Sequence, residues 1–265
     1  AVILLIVIFQ LGGSYVHALT RAITKRRLGE SPIVFADPTS SALLTSRLHD
    51  PHPGVALYAL HRLEAPDPGS IADVLPDLIR HPAPEVRREA FSRIEILKDP
   101  TMLGAVRRAV ALEAAPSVKE SGFRALGAIA DAEAASQLLS ALHEMDPYLL
   151  RGALVGLLKY QESPAAEHVL DRLSVSSSVT DRILATQILA ETGQARFQPM
   201  HQSLLGDPDP AVRREAIQAV ARSGRSTLYP LLIEACDLHE TSRAAAQALI
   251  TIGADIFPNV EAAYS

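Results

Sequence analysis

Apolar and polar positions in this chain recur with a period near 31 residues from about residue 50 onward. The clearest unit is Pro210-Ala211-Val212-Arg213-Arg214-Glu215-Ala216, preceded by Gly206-Asp207-Pro208-Asp209. A near copy is Pro84-Glu85-Val86-Arg87-Arg88-Glu89-Ala90. In both, proline opens a helix, because its missing N–H would be unpaired in a first turn anyway. Asp207 and Asp209 are placed to accept from the exposed N–H groups of that turn. Val212, Ala216 and Val220 then share one face, and Arg213 and Arg214 leave it.

The same frame can be set at Pro53, Pro84, Pro116, Pro147, Ser178, Pro210 and Glu240, with gaps of 31, 32, 31, 31, 32 and 30 residues. Six positions beyond each stand Ala59, Ala90, Gly122, Ala153, Leu184, Ala216 and Ala246, nearly all small. Each period also holds an earlier helical pattern, as in Ile71 to Arg80, Met102 to Glu113, Ala134 to Glu144, Ala165 to Leu173 and Thr227 to Ala235. The unit is therefore helix, turn, helix, and a repeat of this length marks a stack in which each hairpin buries its apolar flank on the next. The expected fold is an all-α solenoid of about seven hairpins over residues 39–265. Leu126 and Leu157 are expected at its interfaces. The serine-rich turn Val175 to Val179 is the expected irregularity, and Ala254 to Tyr264 reads as the first helix of an eighth unit.

The first twenty residues differ in kind. No Asp, Glu, Lys or Arg occurs before Arg21, and a helix of that length would span about 30 Å, the thickness of the hydrocarbon core. Tyr15 sits where an interfacial aromatic belongs, and Arg21, Lys25, Arg26 and Arg27 form a positive flank. The pattern predicts the end of a transmembrane helix over 1–20, a basic exit helix and linker over 21–38, and a solenoid on the cytoplasmic side. Two alternatives stand beside it. Val16-His17-Ala18 loosely fits a signal-peptide cleavage site, although the charges follow the apolar run instead of preceding it. A buried helix capping the solenoid is the other, and Gly12-Gly13-Ser14 weakens any single continuous helix.

Composition adds little chemistry. A net charge of −5 gives no general reason to expect a nucleic-acid partner. The single cysteine, Cys236, excludes an intrachain disulfide. There is no Gly-x-Ser-x-Gly, no phosphate-cradling loop and no Cys-x-x-Cys. His49, His52 and His61 cluster around one turn without a converging carboxylate or cysteine, so no metal site is expected there. No cofactor, no metal and no catalytic residue is expected, and the chain reads as a non-enzyme.

The segments Asp209 to Ala216 and, without the leading Asp, Pro84 to Ala90 resemble the Asp-Pro-x-Val-Arg-x-x-Ala signature of HEAT repeats. That resemblance implies an α-solenoid with one helix row outside and the second row lining a concave face that holds a protein partner. Four positions after each start stand Leu57, Arg88, Glu120, Arg151, Arg182, Arg214 and Ala244. If the second helices line the concave face, Arg88, Arg151, Arg182 and Arg214 form a candidate partner-binding stripe. The competing reading is a solvated face of Arg–Glu pairs. The adjacent column of Arg87, Lys119, Arg213 and Arg243 reads as structural, pairing with acidic groups in neighbouring turns.

Two further resemblances bear on function. The pairs His143-Glu144 and His239-Glu240 are of the kind that hold iron in deoxyhypusine hydroxylase, but that enzyme uses four such pairs in matching helices. The stretches Tyr15 to Glu30 and His49 to Glu64 resemble bacterial ATP/ADP translocase-type transporters fused to HEAT repeats. The latter implies a cytoplasmic interaction or regulatory module of a membrane transporter. A free-standing HEAT scaffold is the alternative. A HEAT-like enzyme of the bilin lyase or DNA glycosylase type is a further one, and the glycosylase form lacks a basic balance and tryptophan.

Overall fold

The computed structural model describes residues 38–65, 68–224, 226–236 and 240–256. Among them are fourteen α-helices and no strand. They pair as seven hairpins: α1 (Pro38–Arg47) with α2 (Pro53–Glu64), α3 (Leu75–Leu78) with α4 (Pro84–Leu97), α5 (Leu103–Leu112) with α6 (Pro116–Ala128), and α7 (Ala132–Ala141) with α8 (Pro147–Tyr160). The remaining three are α9 (Pro164–Ser174) with α10 (Val179–Thr192), α11 (Gln198–Leu205) with α12 (Pro210–Ser223), and α13 (Tyr229–Cys236) with α14 (Ser242–Ile252). Four of the first helices begin as 3-10 turns. In the second hairpin the first four residues of the expected helix Ile71 to Arg80 belong to such a turn, Pro68–Val74, and the α-helix begins only at Leu75, because Pro76 cannot donate to a continuous α-ladder. The predicted transmembrane helix lies outside the described residues, as do its flanking residues Tyr15, Arg21, Lys25, Arg26 and Arg27. No helix among the described residues is long and apolar enough to cross a membrane.

Five second helices begin on proline, as the sequence requires, and the other two correct the frame. Ser178 is not the first helical residue but the N-cap of α10, accepting from the Asp181 N–H. Thr241 precedes α14, which starts at Ser242 and not at Glu240. With starts at 53, 84, 116, 147, 179, 210 and 242, the period alternates between 31 and 32 residues. The sixth position beyond the start then becomes Ala59, Ala90, Gly122, Ala153, Ala185, Ala216 and Ala248, small and buried in all seven hairpins. A missing proline had hidden this regularity at two places.

Second helices pack on one another along the array, whereas the first helices mainly contact their own hairpin partners. The tightest approach joins α6 to α8. A Cβ built on Gly127 would lie 2.5 Å from the Gly156 Cα, one on Gly152 2.7 Å from the Glu120 carbonyl oxygen, and one on Gly156 2.8 Å from the Phe123 carbonyl oxygen. Three glycines thus let two helix backbones touch. Buried apolar residues form two clusters: one runs from Leu48 to Ala216, the other from Ile217 to Ile256. Leu126 and Leu157 are both fully buried in the first. Leu126→Ala and Leu157→Ala are each expected to lose about 2–5 kcal/mol in urea melts.

Candidate functional site

The turn inside five of the seven hairpins is built from a repeated contact. The side chain three residues before the second helix accepts from the backbone N–H two residues on: Asp50 from His52 at 3.0 Å, His81 from Ala83 at 3.1 Å, Glu113 from Ala115 at 2.9 Å, Ser176 from Ser178 at 3.1 Å and Asp207 from Asp209 at 2.8 Å. This keeps the turn closed even before α4 and α6, where the N-cap residues Ala83 and Ala115 have no side-chain acceptor.

An arginine at the fourth helical position locks one turn to the next. Arg87 donates through Nη1 to the carbonyls of His81 and Pro82, and through Nε and Nη2 to Glu113 of the following turn at 2.7 and 2.9 Å. Arg213 reaches the Asp207 and Pro208 carbonyls and pairs with Glu240. Arg182 donates to the Ser176 carbonyl and to Asp207 at 2.7 Å. Arg182 therefore belongs to the latching column and not to the partner-binding stripe in which the sequence frame placed it. Its apparent column came from counting Ser178 as the helix start. Arg243 leaves the latching column for the same reason.

The inner side of the array is where residues two hairpins apart can meet. Lys159 on α8 reaches past α6 to Glu95 on α4, at 2.8 Å. Arg124 on α6 pairs with Glu95 at 3.1 Å and with Glu191 on α10 at 2.6 Å. Such reach across a repeat requires helices that converge, so the second-helix row is the inner one. Glu95 is the hub, only 4% exposed, and it also accepts from the Tyr160 hydroxyl at 2.8 Å. Burial pushes the Glu95 carboxyl up, but Arg124 with the Lys159 and Tyr160 hydrogen bonds outweighs it and holds the group below its ordinary value. The same balance raises Arg124 and Lys159.

Sequence reasoning missed this ladder, although a signal was present. Glu64 pairs with Arg93 at 2.7 Å, and Glu95 with Arg124, each across 29 residues and one period apart. The third rung is absent because Gly127 and Gly156 take its place.

Beyond α8 the row opens. α8 meets α10 over fewer residues than it meets α6. The gap is a cleft of about 450 Å³. One wall carries Arg124, Arg151 and Lys159; the other carries Gln187, Ala190 and Glu191 of α10 with Glu215 and Arg222 of α12. Arg151 is tied to buried Glu120 at 2.6 Å and donates to Gln187 at 3.2 Å. Arg222 pairs with Glu215 at 2.7 Å. Of the four stripe arginines, only Arg151 lines this cleft; Arg88 and Arg214 are exposed on α4 and α12.

His143 and Glu144 are exposed at the end of the first helix of the fourth hairpin, and His239 lies outside the described residues. No group of three or more His, Cys, Asp or Glu suited to a metal ion occurs among the described residues.

Acid should loosen the array. Burial pushes the carboxyls of Glu113 and Asp207 up, but hydrogen bonds from their arginines and turn N–H groups prevail, so both, like Glu95, sit below their ordinary values. A depressed folded value means stability that is complete above the ordinary values of 4.5 and 3.8 and is lost as pH falls through the folded values. Urea midpoints are expected to be flat from pH 7 to about pH 5 and to fall steeply below about pH 4. Lys159, raised from 10.5, loses its contribution only as pH rises through its folded value.

The HEAT repeats family matches residues 166–250, which covers the hairpins from α9 to α14. Together with the seven stacked hairpins, the match makes the chain a HEAT-like helical solenoid. No curated protein sequence matches. A similar solved structure is human deoxyhypusine hydroxylase in complex with glycerol, at 14% identity and a TM-score of 0.40, covering 81% of this chain and 96% of that one. That protein is an enzyme, so a helical array of this kind is no ground for excluding catalysis, and the expectation of a non-enzyme is corrected accordingly. A likeness at this level assigns the chain no activity of its own.

Proposed function

We propose that the chain is a protein-interaction scaffold that holds a segment of a partner on its inner face, at the cleft between α8 and α10. The observation that carries this reading is a charged cleft of about 450 Å³ on the second-helix row, where α8 meets α10 over fewer residues than it meets α6. HEAT repeats over 166–250 support it, since such arrays generally serve protein–protein contact. The test compares partners recovered from source cells by the full chain, by Ala190→Arg in the cleft, and by Glu133→Arg on the first-helix side. Loss of the same partner with Ala190→Arg alone would support the reading. Equal recovery by all three would sink it.

Attachment to a membrane through residues 1–20 is part of the proposal. The support is the uncharged run ahead of Arg21, Lys25, Arg26 and Arg27. The likeness of Tyr15 to Glu30 and His49 to Glu64 to translocase-type fusions favours a transporter as the membrane component. Full chain recovered in the membrane fraction, with the chain lacking 1–20 in the supernatant, is the expected outcome. Both forms remaining in the supernatant would dispose of it.

A further inference from the structure

We infer that the α8–α10 cleft takes an extended acidic peptide segment, with two carboxylates about four residues apart. This rests on the inner-face reading above and adds the chemistry of the partner. Four cations and two carboxylates line the cleft. Side chains of Arg124, Arg151, Lys159 and Arg222 are 26, 26, 32 and 53% exposed, whereas Glu191 and Glu215 are 26 and 20% exposed and already paired with Arg124 and Arg222, and the anchoring carboxylates Glu95 and Glu120 are 5 and 6% exposed beneath.

Hydrogen-bonding capacity points the same way. Both oxygens of Glu95 are engaged, one by Lys159 and Tyr160 and the other by Arg124. Arg151 uses Nε for Glu120 and Nη1 for Gln187, which leaves its Nη2 donors unspent. Arg222 uses only Nη2, for Glu215. The cleft therefore offers donors held in place from below, which is the arrangement that favours carboxylate or phosphate oxygens.

The spacing sets the register. Arg151 and Lys159 are eight residues apart on α8, about 12 Å along its axis at the helical rise. An extended segment covers that distance in about four residues, and an even separation keeps both side chains on one face.

The test uses the full chain and three probes: a labelled Gly/Ser peptide bearing two glutamates four positions apart, the same peptide with lysines, and inorganic phosphate. The glutamate peptide is expected to bind, to weaken with added salt, and to exceed the lysine peptide at least tenfold. Gln187→Glu is the decisive variant. It sets a carboxylate against Arg151 without emptying any buried pair, so the thermal midpoint should hold while affinity for the glutamate peptide falls at least fivefold. Arg222→Gln should weaken it as well. Equal binding of the lysine peptide, no binding of the glutamate peptide, or indifference to Gln187→Glu each overturns the acidic inference. So does displacement of the peptide by equimolar phosphate, which would mark a small-anion site. If any of these occurs while Ala190→Arg still abolishes partner recovery, the scaffold reading survives without its acidic partner; if recovery is also unaffected, both fall.

Discussion

Gly127→Val is expected to cost about 3 kcal/mol and to reduce the urea midpoint without changing helix content at low denaturant. Even the first added carbon would lie 2.5 to 2.7 Å from three backbone atoms of Gly156, none of which can rotate away. The two helices must part, and Phe123, Leu126 and Leu138, buried in the surrounding core, lose packing with them. Helix propensity runs the other way, since glycine inside a helix is worth up to about 1 kcal/mol less than alanine. Gly104→Ala isolates that term. A Cβ there would meet only the Arg108 guanidinium, at an ordinary 3.6 Å, so the change should be neutral or slightly stabilising. A Gly127→Val protein as stable as the parent would mean that α6 and α8 do not touch as described.

Glu95→Ala is the second large effect, expected at about 3–5 kcal/mol. One carboxylate on the second hairpin holds Arg124 of the third and Lys159 and Tyr160 of the fourth. Its removal leaves two cations side by side without their shared counter-charge, and a tyrosine hydroxyl without its acceptor. An exposed pair such as Arg196 with Glu167 provides the contrast: its side chains are 41 and 37% exposed, and Glu167→Ala should cost less than about 1 kcal/mol. Comparable losses from the two substitutions would show that Glu95 is not the hub.

The periodic part of the fold was legible because proline and a buried small residue mark each second helix at fixed offsets. Where proline was absent the reading slipped by one residue at Ser178 and by two at Glu240. Ser178 just before α10 serves as its N-cap, whereas proline serves as the first helical residue; treating them alike moved Arg182 into the wrong column. Restoring Ala185 to the small position in place of Leu184 would have exposed the first slip from sequence alone, whereas at the second Ala246 is as small as Ala248. The first helices were less legible, since Pro68 and Pro76 turn a helical pattern into a 3-10 segment. Of the site, Arg151 was found because it falls in the column read from the helix start. Arg124 lies about one turn further along its helix and Lys159 and Arg222 about two, and their grouping depends on how closely neighbouring helices converge. That distance is set by Gly127, Gly152 and Gly156, whose role appears only when two backbones are seen in contact.

The links from Glu95 to Lys159 and from Arg124 to Glu191 each skip a hairpin. An array held only by adjacent contacts would stretch evenly, like a spring with equal coils. Pulled by its two ends, this one has a stapled middle: the coils from the second hairpin to the fifth must yield together, while the sixth and seventh share a separate apolar cluster. The protein thus has a stapled centre, and that centre carries most of the cleft.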